Sequence, residues 1–248
     1  MTDSGMTESD AYKKAEQRIV KRFHKALSTY KLIEDGDKVL VGLSGGKDSL
    51  CLLELLGNRM KIQRPDFKVE AVHVRMKNIG YETDAAYLQR FADSMSIPLH
   101  VVTTEFKVDE SGRKPVCFLC SWYRRKAMFN MAQELGCNKI ALGHHLDDIV
   151  QTTLMNLFFQ GHFSPMPAKL AMRKMPLTII RPLCMETESD INIYAESHKY
   201  HKLKKICPFE NDSRRATVKR IINDVEKIYP DLKHSVWNAI DKDGKPVL

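Results

Sequence analysis

The chain has 248 residues, 43% hydrophobic and 28% charged, and its 39 basic and 31 acidic side chains give a formal charge of +8. That length and apolar content suit one globular unit with appendages and exclude collagen, coiled-coil and disordered classes. The longest apolar stretches, around Val39–Leu43 and Cys51–Leu53, fall well short of the ~20 residues of a membrane span. Met1–Asp10 is polar and acidic, unlike a secretory signal, so the expectation is a cytoplasmic protein with no membrane contact.

Val20, Phe23, His24, Leu27 and Tyr30 recur at helical spacing within residues 9–33, predicting an amphipathic helix that ends by Asp35-Gly36-Asp37. From Lys13 to Lys25 it carries Lys13, Lys14, Arg18, Lys21, Arg22 and Lys25 against Glu16 alone. Lys38–Leu43 reads as a short buried strand, followed by a glycine turn and a helix opening at Asp48-Ser49. Further strands are expected at 69–74, 99–104, 139–142 and 177–181, with helices at about 82–95, 121–135 and 146–159 between them. Strands separated by crossover helices imply an α/β fold, a parallel five-stranded sheet with helices on both faces. Such sheets bind ligands at the carboxyl ends of their strands. Beyond Pro182 the pattern is helical, at about 188–200, 213–228 and 231–240. From Lys199 to Arg220, the eight basic residues Lys199, Lys202, Lys204, Lys205, Arg214, Arg215, Lys219 and Arg220 stand against only Glu210 and Asp212. The chain therefore divides into an N-terminal basic helix (1–34), a central α/β unit (35–185) and a basic C-terminal helical extension carrying Cys207 (186–248). The two basic ends suit a polyanion such as nucleic acid, the alternative being solvated helix faces.

Ser44-Gly45-Gly46-Lys47-Asp48-Ser49 joins the first strand to the first crossover helix. Backbone N–H groups and the helix dipole favour a phosphate at such a place. Asp48 follows the lysine and only three residues separate Gly42 from Gly46, so the spacing is not Gly-x-x-x-x-Gly-Lys-Ser/Thr, and Gly-x-Gly-x-x-Gly is also missing from it. The string resembles the PP-loop of ATP pyrophosphatases, a Rossmann-like superfamily of adenine nucleotide alpha hydrolase-like fold. That resemblance implies that Ser44, Gly45, Gly46 and Ser49 cradle the phosphates of ATP, that Lys47 neutralises developing charge and that Asp48 helps hold Mg²⁺.

A second string, Gly143-His144-His145-Leu146-Asp147-Asp148, leaves the fourth strand at the same edge. Gly143, His144 and Asp148 are read as ATP contacts, against the alternative of a helix capped by Asp147 beside a satisfied histidine. Six cysteines are too sparse for a disulfide scaffold. Cys117 and Cys120 form a Cys-x-x-Cys pair placed immediately before the helix expected near Ser121, whose N-terminus favours thiolates and hence soft metals. Cys207-Pro208 is flanked like a ligand loop, Cys51 and Cys137 read as packing residues, and Cys184 follows the last strand. Trp122, Tyr123, Arg124 and Arg125 read either as stacking and phosphate contacts for an RNA base or as core aromatics beside an exposed charge pair.

Together with Val41-Gly42-Leu43 and Ile180-Arg181-Pro182-Leu183, these motifs resemble the tRNA-cytidine 2-sulfurtransferases, the TtcA family, over roughly residues 15–230. The resemblance implies ATP-dependent thiolation of cytidine 32 in the tRNA anticodon loop, through an adenylated base. It also implies a [4Fe-4S] cluster on Cys117, Cys120 and Cys207, catalytic roles for Lys47, Asp48 and those cysteines, a sulfur donor such as a cysteine desulfurase, and a homodimer. Two departures stand out. Cys207-Pro208-Phe209-Glu210 lacks a second Cys-x-x-Cys, which leaves a three-cysteine set, and Pro167-Ala168-Lys169-Leu170 replaces Pro-Pro-Lys-Leu, which leaves the base open. Competing readings are a thiouridine-forming relative, although those carry additional zinc-binding Cys-x-x-Cys pairs, a lysidine-forming or amidating PP-loop enzyme, which has no use for the three cysteines, and a non-catalytic metal-containing RNA-binding module.

The basic extension generates a first prediction. The double variant Lys204→Glu/Lys205→Glu should bind tRNA more weakly and with a shallower salt dependence, each lost phosphate contact removing ~0.7 to 0.9 from the slope of log K against log salt. ATP binding should stay unchanged. Filter binding across a salt series checks both.

Overall fold

A computed structural model describes residues 8–78, 84–106, 116–201 and 214–242. The central strand β1 (Lys38–Gly42) shows why the sheet must be covered on both sides. Val39 and Val41 point into one apolar core, while Leu40 joins a second core with Val72 and Ile140. Strands buried on both faces read as continuous apolar runs, and here they force helices onto each face. The chain supplies these as α1 (Glu8–Thr29), β1, α2 (Lys47–Met60), β2 (Lys68–Met76), α3 (Ala85–Asp93), β3 (Leu99–Thr104) and α4 (Val116–Glu134). It continues through β4 (Lys139–Ala141), α5 (Leu146–Gln160), β5 (Lys169–Ala171), β6 (Thr178–Ile180), α6 (Glu188–Ser197), α7 (Arg214–Ile228) and α8 (Leu232–Lys242).

The strand order is β3-β2-β1-β4-β6-β5, parallel throughout except for β5 against β6. β1 and β4 are neighbours, with Val39 opposite Lys139 and Val41 opposite Ala141, so the loops that follow them emerge side by side. The expected five-stranded sheet is thus corrected to six strands. The addition, β5, is three residues long and exposed at every position, so Lys-Leu-Ala carries no alternation from which a strand could be read.

A second correction concerns the cysteine pair. α4 begins at Val116, so Cys117 and Cys120 lie inside its first two turns instead of ahead of it. Leu119, with Cys120 and Tyr123, packs against Met76 and Phe106, and this tertiary contact anchors the extra turn. α1 ends a few residues earlier than expected, at a Lys31 with φ of 46°, after which Leu32 and Ile33 bury without helix. The larger core runs without a break from Ile19 in α1 to Ile240 in α8, so the helices at both chain ends share the core of one sheet face. No helix among the described residues is long and apolar enough to cross a membrane.

At the amino edge of the sheet the strands are joined by buried polar groups. Lys139 Nζ lies 2.6 Å from Asp37 Oδ2 and donates to the Leu32 carbonyl at 2.8 Å. Asn138 donates to the other Asp37 oxygen at 2.7 Å and accepts from Lys38 N at 2.8 Å. Removing one member of a buried ion pair leaves an uncompensated charge. Lys139→Ala should therefore cost about 3–5 kcal/mol in urea unfolding, a loss that Asp37→Asn, which keeps the hydrogen-bonding shape, should only partly reproduce.

Candidate active site

The glycine loop closes on itself. Gly45 has φ of 85°, a left-handed conformation that suits glycine, and extended Gly46 caps α2. Ser44 Oγ accepts from Gly46 N at 3.2 Å and lies 3.1 Å from Ser49 Oγ, while Ser49 Oγ donates to the Gly46 carbonyl at 2.8 Å. Buried His73 on β2 fixes the approach to the loop, its Nδ1–H donating to the Leu43 carbonyl at 2.7 Å. Lys47 Nζ sits 3.1 Å from Asp48 Oδ1 and 3.6 Å from Glu188 Oε1. Burial pulls its pKa down, but the two carboxylates outweigh that and hold the ammonium charged.

Gly143 leaves β4 so close to this loop that a Cβ there would stand 3.0 Å from the Asp48 carbonyl carbon and oxygen and 3.1 Å from Ser49 N. The two histidines after it are driven in opposite directions. His144 is pushed down to about 4, by burial first and then by Arg181. His145 is buried as well, yet three carboxylates raise it, with Asp48 at 3.8 Å, Asp147 at 3.6 Å and Asp148 at 3.4 Å. The α5 start is capped by Asp148, which accepts from His145 N at 3.3 Å, and Asp147 reaches across to accept from Glu188 N at the start of α6 at 2.8 Å.

A layer of cations surrounds these carboxylates, and no local motif announces it. Lys233 on α8 pairs with Asp147 at 2.7 Å, Arg215 on α7 with Asp148 at 3.0 Å, and Lys219 with Glu188 at 2.9 Å. Arg18 and Arg22 likewise pair with Asp190, both at 2.6 Å. Several cations of the two basic clusters are therefore engaged within the fold, while Lys13, Lys21, Lys25, Lys199 and Arg220 stay exposed. The only sequence signal for the inner layer was the excess of base over acid in those clusters.

Cys117 is exposed and Cys120 half-buried, one turn apart on α4. The contacts of Cys120 with Met76 at the end of β2 and Phe106 beyond β3 put the pair at the carboxyl edge of the sheet. Cys51, Cys137 and Cys184 are buried, and burial pushes the Cys137 thiol up to about 11. Cys207, with Lys202, Lys204, Lys205 and Glu210, lies outside the described residues. Among the described residues no three His, Cys, Asp or Glu side chains converge on a common metal position. A cavity of about 720 Å³ opens beside the loop, lined by Gly45, Gly46, Lys47 and Asp48 with Lys199 and His201. Several buried polar atoms at this edge, His144 Nδ1 and Arg181 Nε among them, have no hydrogen-bond partner, an arrangement expected where a polar ligand completes the site.

Residues 12–224 match the family model of the PP-loop domain. The tRNA-cytidine(32) 2-sulfurtransferase of Bordetella avium is 35% identical over 235 residues, covering 92% of this chain and 74% of the relative. The chain belongs to this family of PP-loop proteins. The U34-tRNA thiolase NcsA of Methanococcus maripaludis, solved with its [4Fe-4S] cluster, superposes with a TM-score of 0.75 at 28% identity over 93% of this chain and 79% of NcsA. An ammonia-dependent NAD synthetase from Campylobacter jejuni, with a TM-score of 0.50 at 15% identity over 92% of this chain and 94% of its own, shares the fold.

Gly143→Ala tests the approach of the β4 exit to the PP-loop. The new methyl would have to displace backbone, so stability should fall by about 1–3 kcal/mol. ATP affinity, read by calorimetry, should fall more than in a Gly57→Ala variant, whose added methyl meets only the Met95 side chain.

Proposed function

We propose that the protein thiolates tRNA at C2 of cytidine 32, in an ATP-dependent reaction that proceeds through an adenylated base. The observation that carries this reading is the gathering, at one edge of one sheet, of the PP-loop after β1, the Gly143–Asp148 turn after β4 and the Cys117/Cys120 pair beyond β2. The names of the curated relatives and the family membership support it.

A pyrimidine carbonyl oxygen is a poor leaving group until it is esterified. In the first step the C2 oxygen forms a bond to the α-phosphorus of ATP, the bond to the β-phosphate oxygen breaks, and pyrophosphate leaves. Lys47 and the N–H groups at the start of α2 neutralise the charge that develops on the phosphates. Asp48, in the first turn of α2 with its Oδ1 3.1 Å from Lys47 Nζ, is the residue to hold Mg²⁺ there. Neutral His144 and the Asp148–Arg215 pair border the nucleotide. In the second step sulfur bonds to C2 and the C2–O bond breaks, so AMP departs with the original oxygen.

Two thiols one helical turn apart at the mouth of the site suit two ligand positions of a [4Fe-4S] cluster. Cys207 would be the third ligand, and when bound the cluster supplies the sulfur that replaces oxygen. The described residues on either side of the stretch that carries Cys207 lie at this site, His201 in the cavity wall and Arg215 on Asp148. A cysteine desulfurase as donor and a homodimer as the assembled form complete the proposal.

The similarity to NcsA, a U34-tRNA thiolase, favours uridine as the second reading of the base. Nucleoside mass spectrometry separates the two. Anaerobically purified protein given tRNA, ATP, Mg²⁺, dithiothreitol and a cysteine desulfurase with cysteine should form 2-thiocytidine, the dithiol reducing the desulfurase's persulfide sulfur to the sulfide that bonds to C2. Cys207→Ser should abolish the product, while Cys51→Ala and Cys137→Ser should retain most of it. 2-Thiouridine in its place would move the substrate to uridine, and the appearance of neither thionucleoside would overturn thiolation.

A further inference from the structure

Apart from Cys117, the exposed side of the first half of α4 has no role in the reaction described above. Successive helical residues turn by about 100°, which places Cys117, Ser121 and Arg125 on the same side of the helix as Met128 and Ala132. The last two are buried against the sheet, whereas the first three are exposed. The first half of α4 therefore overhangs the carboxyl edge, and its cysteine face continues the face that packs on the sheet. Along the flank of that face runs a row at i, i+4, i+8, Phe118, Trp122 and Lys126. Phe118 is 48% exposed and Trp122 44%, although neighbouring Leu119 is buried and Tyr123 packs into the small core with Phe106. Lys126 Nζ lies over the Trp122 ring, 5.4 Å from its centre, and holds the ring in place.

Two large aromatics stand exposed beside the cysteine pair. The charge along the helix points to their occupant, since Arg124, Arg125 and Lys126 follow directly and no acidic residue occurs in α4 before Glu134. An exposed aromatic with flanking cations fits an unpaired nucleobase and its phosphates. A protein surface would ask for a wider apolar patch than one row. We infer that Phe118 and Trp122 form a stacking platform for an unpaired base of the RNA loop, with Arg125 and Lys126 on the adjoining phosphates, so that the loop is held open next to the cysteine pair. This rests on the tRNA reading and specifies how the substrate loop is gripped. The structure divides the four residues after the cysteines, for it exposes Trp122 to a partner and gives Tyr123 to the core.

The chain has two tryptophans, and the other, Trp237, is 9% exposed and packed edge-on against Tyr30 at 6.0 Å, so a loop stacked on the platform should quench Trp122 alone. Full-length protein titrated with unfractionated tRNA should lose the Trp122 share of its emission, and a blunt RNA duplex should leave it unchanged. Trp122→Phe should bind tRNA nearly as well but show no quench, which also provides the baseline for absorption by the RNA. Trp122→Ala should weaken tRNA binding about tenfold in filter binding and leave ATP affinity unaltered. If wild-type protein binds and thiolates tRNA while Trp122→Ala does so with unchanged affinity, the platform is overturned and the thiolation reading stands. Failure of the wild-type protein to bind tRNA would overturn both. Unchanged tRNA affinity with weakened capture of a purified cysteine desulfurase would make this row a protein contact instead.

Discussion

At Gly143 a Cβ would stand 3.0 Å from the Asp48 carbonyl, tighter than ordinary van der Waals contact. A side chain there would push on the Asp48 carbonyl and the Ser49 amide, which belong to the first turn of α2. Because β1 and β4 are parallel neighbours, the turns that follow them must share one edge, and glycine lets them touch. The consequences run outward from this contact. It brings His145 within 3.8 Å of Asp48 and sets the carboxylates of two separate loops around one space. A parallel sheet offers such a crevice at its carboxyl edge, and the glycine decides how narrow it is.

Charge then determines how the rest of the chain is arranged around that space. The C-terminal helices answer each of Asp147, Asp148 and Glu188 with a cation, Lys233, Arg215 and Lys219. The same helices bury Val218 and Ile222 in the main core, so apolar burial supplies the attachment and the ion pairs set its register. The extension is consequently a wall of the site. Lys47 is drawn into the same network through Glu188, which links the phosphate-handling lysine to α7 by a chain of two ion pairs.

Much of the fold was legible because local pattern and final environment agree. The apolar runs of β1, β2 and β4 are buried as read, and the helices between them fall within a few residues of their expected limits. β3, expected as a buried strand, has no fully buried residue, because it lies at the sheet edge and pairs with β2 alone. The misreadings arise where tertiary contact overrode local signal. β5 forms because the chain before Arg181 is drawn onto the open side of β6, with Ala168 accepting from Arg181 N at 2.9 Å, and not because Lys169–Ala171 favours a strand. α4 starts early because Leu119 and Cys120 find Met76 and Phe106, residues more than ten positions away along the chain.

By itself the sequence determined the parallel α/β architecture, the position of the glycine loop between β1 and α2 and the presence of a Cys-x-x-Cys pair, since each is written in residues close together and in the period of their burial. Only the tertiary structure decided which cations serve the site and which face solvent, that His144 and His145 titrate in opposite directions, and that Trp122 is open while Tyr123 is not. The physical reason is range. Hydrogen bonding and apolar periodicity act between near neighbours along the chain, whereas burial, ion pairing and the shift of a pKa depend on which distant segments are folded against one another.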